Sequence, residues 1–270
     1  MKIKTKNHYL LWIDLLGTKN KIDNDKNDEY INLIYDLYKQ TLNFVEKVYK
    51  KVYKNIKIKY KIYSDNITVA IEQNDGDSVT EASYKKGIIT DFATYFQLVA
   101  LEKEILTRGV ITIGKLYINN VFICGKALNR AYELETETAI YPRIIYDSEI
   151  VNYFFESNQL CKNTNRDADG IFYIDIFKSM FITQKLQGKL NNIKTALLNI
   201  WSNEIYGKNY SEMNNKQKKQ KKTNYKHLQK IYWLANVFND YSNQHDKYLT
   251  LPFLNGDKLQ ILYNEGNYHV

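Results

Sequence analysis

The sequence predicts an α+β fold, a ferredoxin-like palm followed by a mainly helical C-terminal extension. Three observations predict it. β-rich runs alternate with stretches of helical periodicity in the order β, long α, β-hairpin, α, β, α, β. The first run is apolar almost throughout, as a strand covered on both faces must be. Near residue 178 the β-rich runs stop and long helical stretches take over, which divides a palm at 1–178 from an extension at 179–270.

The first strand is His8–Leu16, HYLLWIDLL, in which Asp14 is the one charged residue. From Asp28 to Lys54 the residues Ile31, Ile34, Leu37, Tyr38, Leu42, Val45, Val48 and Val52 recur at helical spacing, so a long amphipathic helix covers the sheet. Asn55–Tyr63 and Ile67–Glu72 are β-rich and flank Ser64-Asp65-Asn66, a turn-forming cluster, which predicts a hairpin with Asp65 at its tip. After a polar loop at Gln73–Ser78 comes a helix of about 20 residues ending near Leu106. Arg108–Tyr117 then reads as a strand, Gly125–Glu137 as a helix, YPRIIYD as a strand entered through Pro142, and Gly170–Ile176 as a final strand. In the extension, helical stretches at Phe181–Tyr206 and Tyr225–Asn243 flank a lysine-rich segment, Asn214–Thr223, read as a solvated loop. With two prolines in the chain and no flexible linker, the extension is expected to pack on the palm.

Composition narrows the chemistry. At 44% hydrophobic over 270 residues the chain can bury a core and fold alone. It has no apolar run long enough for a membrane span and no signal-peptide pattern, so a cytoplasmic protein is expected. Cys124 and Cys161 make no disulfide framework, and His8, His227, His245 and His269 show no ligand spacing, which argues against zinc. The net charge of +8 is spread through a chain rich in Lys, Asn, Ile and Tyr. Its one basic cluster, at 214–226, would bind nucleic acid only in a salt-sensitive, non-specific way, so nucleic acid is not the expected partner.

Asp14 and Asp65 carry the chemistry. Each has an ordinary explanation, Asp14 as a group satisfying a loop and Asp65 as a turn residue. Together they place two carboxylates at the ends of strands predicted to lie side by side. Such oxygen donors suit Mg²⁺ or Mn²⁺, which neutralise a triphosphate and activate the attacking oxygen.

Four segments, in order, resemble the class III adenylyl and guanylyl cyclases over residues 8–176. IDLLGTK at 13–19 looks like their first-strand motif, KIYSDNITVA at 61–70 their hairpin, RGVITIGKLY at 108–117 a strand with their glycine, and GKALNRAYELE at 125–135 the helix with their catalytic asparagine. The resemblance implies a class III cyclase-type palm with a two-metal site of Mg²⁺ or Mn²⁺ held by Asp14, Asp65 and the Leu15 carbonyl. It also implies that the backbone of Leu16, Gly17 and Thr18 lies against the triphosphate, and that Asn129 orients the ribose of a nucleoside triphosphate bound by the other subunit of a homodimer. Two departures stand out. Glu133 occupies the place of the family's transition-state arginine, leaving Arg130, Arg108 and Arg143 as candidates to replace it. Lys61 matches the lysine that reads adenine, but its partner aspartate is replaced by Phe122, an aromatic suited to a core or to stacking on a base. The segments, with AIYPRIIYD and the helical extension, are most like bacterial Pycsar-type antiphage cyclases, which make cyclic CMP or cyclic UMP. A pyrimidine substrate is therefore expected, with an ATP-using enzyme and a catalytically silent nucleotide- or partner-binding domain as alternatives.

Overall fold

The computed structural model describes residues 3–49, 56–156, 163–178, 189–205 and 214–245. Cys161, His269, the predicted continuation of the first helix to Lys54 and the predicted start of the extension's helices at Phe181 lie outside them. The chain divides into two compact units, Met1–Ser179 and Met180–Val270.

In the first unit, β1 (Lys6–Leu15) is an interior strand, antiparallel to β3 (Asn66–Glu72) on one side and to β4 (Thr107–Ile118) on the other. β2 (Ile58–Tyr63) pairs with β3 across the predicted hairpin, whose turn carries Ser64 at φ 57°. The order β2-β3-β1-β4 is that of a ferredoxin-like βαββαβ unit. β6 (Ile144–Tyr146) joins β4 in parallel, and β8 (Phe172–Ile174) and β7 (Thr164–Arg166) extend that edge; β5 (Ile123–Cys124) pairs only with β4. Tyr9, Leu10, Leu11 and Ile13 are fully buried, so β1 is covered on both faces as its composition requires.

Helices cover both faces. α1 (Thr18–Asp23), which periodicity does not reveal, follows β1 directly, and α2 (Glu29–Tyr49) packs on α3 (Val79–Glu102). Ser78 and Glu81 close a capping box at the start of α3, satisfying the amides that the first turn leaves open. From Lys85 onward α3 has no exposed residue, sandwiched between sheet and α2, and so the helix shows almost no amphipathicity. On the opposite face lies α4 (Lys126–Glu137), against β1 and β4. Gly125 enters it at φ 155°, and a Cβ there would stand 2.4 Å from the Lys115 carbonyl oxygen, so only glycine lets the helix begin this close to the strand. α5 (Ser148–Glu156) follows β6.

In the second unit, α6 (Leu190–Ile205) and α7 (Asn215–His245) pack on each other. The lysine-rich segment read from the sequence as a loop belongs to α7. Lysine and glutamine are good helix formers, and no glycine or proline interrupts the run, so the helix begins ten residues before its apolar pattern does.

Candidate active site

The antiparallel register brings the two predicted aspartates together. Asp14 is opposite Asn66 on β3 and Arg108 on β4, and the next residue, Leu15, donates its N–H to the Asp65 carbonyl at 3.0 Å. Paired residues project to the same side of a sheet, so Asp14, Tyr63 and Arg108 share the α4 face with Trp12, Thr68 and Lys61 one row away.

Asp14 is half-buried and already has a cation. Arg108 Nε donates to Asp14 Oδ2 at 3.1 Å, and the far end of the same guanidinium forms an ion pair with Glu135 of α4. The Glu135 side chain is only 6% exposed. Burial pushes the Asp14 carboxyl above its usual range; Arg108 pulls it down, and the neighbouring Asp65 charge raises it again. Glu135 is raised for the same reasons, burial first, with Arg108 opposing and Asp14 reinforcing. Asp14 thus meets both other carboxyls beside one guanidinium, Asp65 through charge and Glu135 through a side-chain hydrogen bond.

The turn after β1 is held tightly. Gly17 sits at φ 77°, a left-handed conformation that costs glycine little, and its Cβ position is open. The buried Thr18 hydroxyl donates to the Leu15 carbonyl at 2.8 Å and lies 3.3 Å from the Tyr30 hydroxyl. Leu16 donates its N–H to the Leu106 carbonyl. Burial raises the Tyr30 phenol, Thr18 lowers it and the Asp65 charge raises it, so Tyr30 stands within electrostatic reach of the hairpin tip.

The remaining predicted residues divide. Lys61 reaches across to the Asn120 carbonyl, which puts it beside the turn carrying Phe122; Asn119 Oδ1 accepts from the amides of Val121 and Phe122, and the Phe122 ring, half exposed, lies 6.2 Å from Tyr117. Asn129 is exposed on α4, and its side chain makes no hydrogen bond to the described residues. Arg130, next to it, is bound through Nε and Nη2 to the fully buried Asp147, which also accepts from Thr112 Oγ1 at 2.7 Å. Glu133 is exposed and acts on Arg130 by charge. Arg143 is buried, paired with Asp167 and Asp169 and flanked by the rings of Tyr141 and Tyr173. Of the three candidate arginines, Arg108 alone touches the Asp14–Asp65 end of the sheet.

Glu135 is the site residue that reading the sequence missed. Its signal is there: the buried positions of α4 are Ala127, Ala131 and Glu135, four apart, so a carboxylate occupies the helix's apolar stripe.

Among the described residues no group of three or more His, Cys, Asp or Glu is arranged to hold a metal ion. The donors at the Asp14–Asp65 end nonetheless fit a hard divalent cation in kind. They are two carboxylates and a backbone carbonyl, with Glu135 beside them. Arg108, the Thr18 hydroxyl and the Asn66 amide each occupy one acceptor direction there, on Asp14, Leu15 and Asp65, and the Glu135 carboxyl is hydrogen-bonded to Asp14.

No protein-family model matches the chain. No curated protein matches it either. Among solved structures it is similar to the adenylyl cyclase CyaB from P. aeruginosa, at 14% identity and a TM-score of 0.41 over 64% of this chain and 96% of that one. It is also similar to the guanylyl cyclase Cya2, at 12% identity and a TM-score of 0.40 over 64% and 93%. No helix among the described residues is long and apolar enough to cross a membrane.

Proposed function

We propose that the chain is a nucleotide cyclase that converts a nucleoside triphosphate, with UTP or CTP favoured, into a 3′,5′-cyclic monophosphate and pyrophosphate. The observation that carries this reading is the meeting of Asp14 and Asp65 at the ends of adjacent strands, beside an open glycine turn and with Arg108 on Asp14. In the reaction the ribose 3′-oxygen attacks the α-phosphorus, the bond to the pyrophosphate oxygen breaks, and the hydroxyl proton leaves to solvent.

Asp14, Asp65 and the Leu15 carbonyl would hold Mg²⁺ or Mn²⁺, which neutralises the triphosphate and lowers the pKa of the 3′-hydroxyl. Gly17 lets the backbone approach the phosphates closely, and the first amides of the helix it opens have no partner within that helix. Arg108 supplies a positive charge at that edge and takes the part left vacant by Glu133. Arg130 would have to leave a buried carboxylate to do so. Asn129 is exposed on its own subunit, which supports its donation to the ribose site of a second copy, giving two shared sites in a homodimer. The resemblance to the Pycsar-type cyclases favours a pyrimidine base and a role in antiphage signalling in the cytoplasm.

Two observations favour a second reading. Arg108 neutralises the carboxylate that the metal needs, and Glu133 adds a negative charge where phosphate would come, as suits a silent nucleotide-binding domain. Incubation with Mg²⁺ or Mn²⁺ and each of ATP, GTP, CTP and UTP, with products identified by mass spectrometry, separates the two. A cyclic pyrimidine nucleotide absent from Asp65→Asn supports the proposal, a product from ATP alone moves the base assignment to adenine through Lys61, and no product from any substrate supports the silent domain.

A further inference from the structure

The Asp14 carboxylate faces two competing claims. A divalent cation needs its oxygens, and Arg108 already takes Oδ2 through Nε. A guanidinium carries five donors in a rigid fork and binds a carboxylate best in a bidentate way, which would close Asp14 to a cation. Arg108 does not bind it so. Its fork is split, with Nε on Asp14 and Nη2 on Glu135, and Glu135, whose carboxyl also reaches Asp14, is fixed on the buried stripe of α4, one turn beyond Ala131.

We infer that Glu135 is a positioning residue that holds Arg108 off Asp14, keeping the Asp14–Asp65 pair able to take a divalent cation while retaining the arginine at its edge. This rests on the reading proposed above. The sheet places Arg108 directly opposite Asp14, so without a competing anchor the two groups would pair fully. The anchor comes from a helix rather than from the sheet, so the geometry of α4 sets how far the arginine leans towards the metal ligands.

The test reads cation binding directly, without nucleotide. Metal-free full-length protein is titrated with Mn²⁺ and free ion is followed by electron paramagnetic resonance for wild type, Glu135→Gln, Arg108→Met and the double variant. Glu135→Gln is expected to weaken Mn²⁺ binding roughly tenfold or more, the range for residues that orient metal ligands. Arg108→Met is expected to tighten it, and in that background Glu135→Gln is expected to have almost no effect. Glu135→Asp keeps the charge but shortens the reach, so a positioning role predicts a loss there too, and it serves if the glutamine variant does not fold. The inference is overturned if Glu135→Gln costs the same with and without Arg108, which is the behaviour of a bare negative charge, or if both Glu135 variants bind as wild type does. Wild type that binds no Mn²⁺ sensitive to Asp65→Asn overturns the metal site itself, and with it the functional reading.

Discussion

Two arginines in the first unit are each clamped between two carboxylates, and they are built in opposite senses. Arg143 is 1% exposed, and its partners Asp167 and Asp169 come to it from the turn between β7 and β8. Its rings of Tyr141 and Tyr173 and its two acids close the arrangement. At Arg108 the buried member is the acid: Glu135 lies inside, Asp14 is intermediate and the guanidinium is the most exposed of the three. A third carboxylate, Asp65, then adds negative charge that Arg108 does not balance. A buried arginine with matching acids fixes a loop in place. An arginine outnumbered by acids at an open strand end marks a place where further positive charge is wanted.

The sharpest way to break this comparison is at the carboxylates. Asp14→Asn and Asp65→Asn are each expected to lower cyclic nucleotide formation roughly a thousandfold or more, since metal stabilisation is worth several kcal/mol, while leaving the denaturation midpoint nearly unchanged. Activity surviving either change would remove the contrast. Arg143→Met should show the reverse pattern, a loss of about 3 kcal/mol in urea unfolding with Mn²⁺ binding intact in the folded fraction.

Arg130→Ala lies between the two. It leaves the buried Asp147 with Thr112 and is expected to cost about 1–2 kcal/mol of stability. A fall in kcat with no fall in stability would instead assign Arg130 the transition-state charge. The smallest effect concerns Asp91, an acid between α2 and α3 whose carboxyl is held above its usual range by burial, partly offset by the Tyr49 hydroxyl. Between the ordinary and the raised pKa the folded protein keeps the proton that the unfolded chain has lost. Stability therefore falls as pH rises through that window, and Asp91→Asn should flatten this slope in urea midpoints measured across acidic pH.

Much of this was legible along the chain. Asp14 announced itself as one charge in an apolar strand, and Ser64-Asp65-Asn66 announced a turn, so both ends of the candidate site could be named before their meeting was seen. Glu135 carries an equally plain signal on the Ala127–Ala131 stripe. α1 and β5 were missed because six- and two-residue elements contain too little periodicity to register. Polarity alone suggests a loop for the lysine run, whereas helix propensity carries it into α7.

By itself the sequence determined the longer strands and helices of the palm, the anomalous acids and the change of character after it, because propensity and periodicity are properties of a dozen neighbouring residues. Only the tertiary structure decided which acid meets which arginine. Arg108 and Arg130 carry the same charge, yet strand register set one against Asp14, 94 residues away, and the start of α5 claimed the other for Asp147. Pairing of this kind depends on register and helix placement across the whole sheet, which no local stretch of sequence contains.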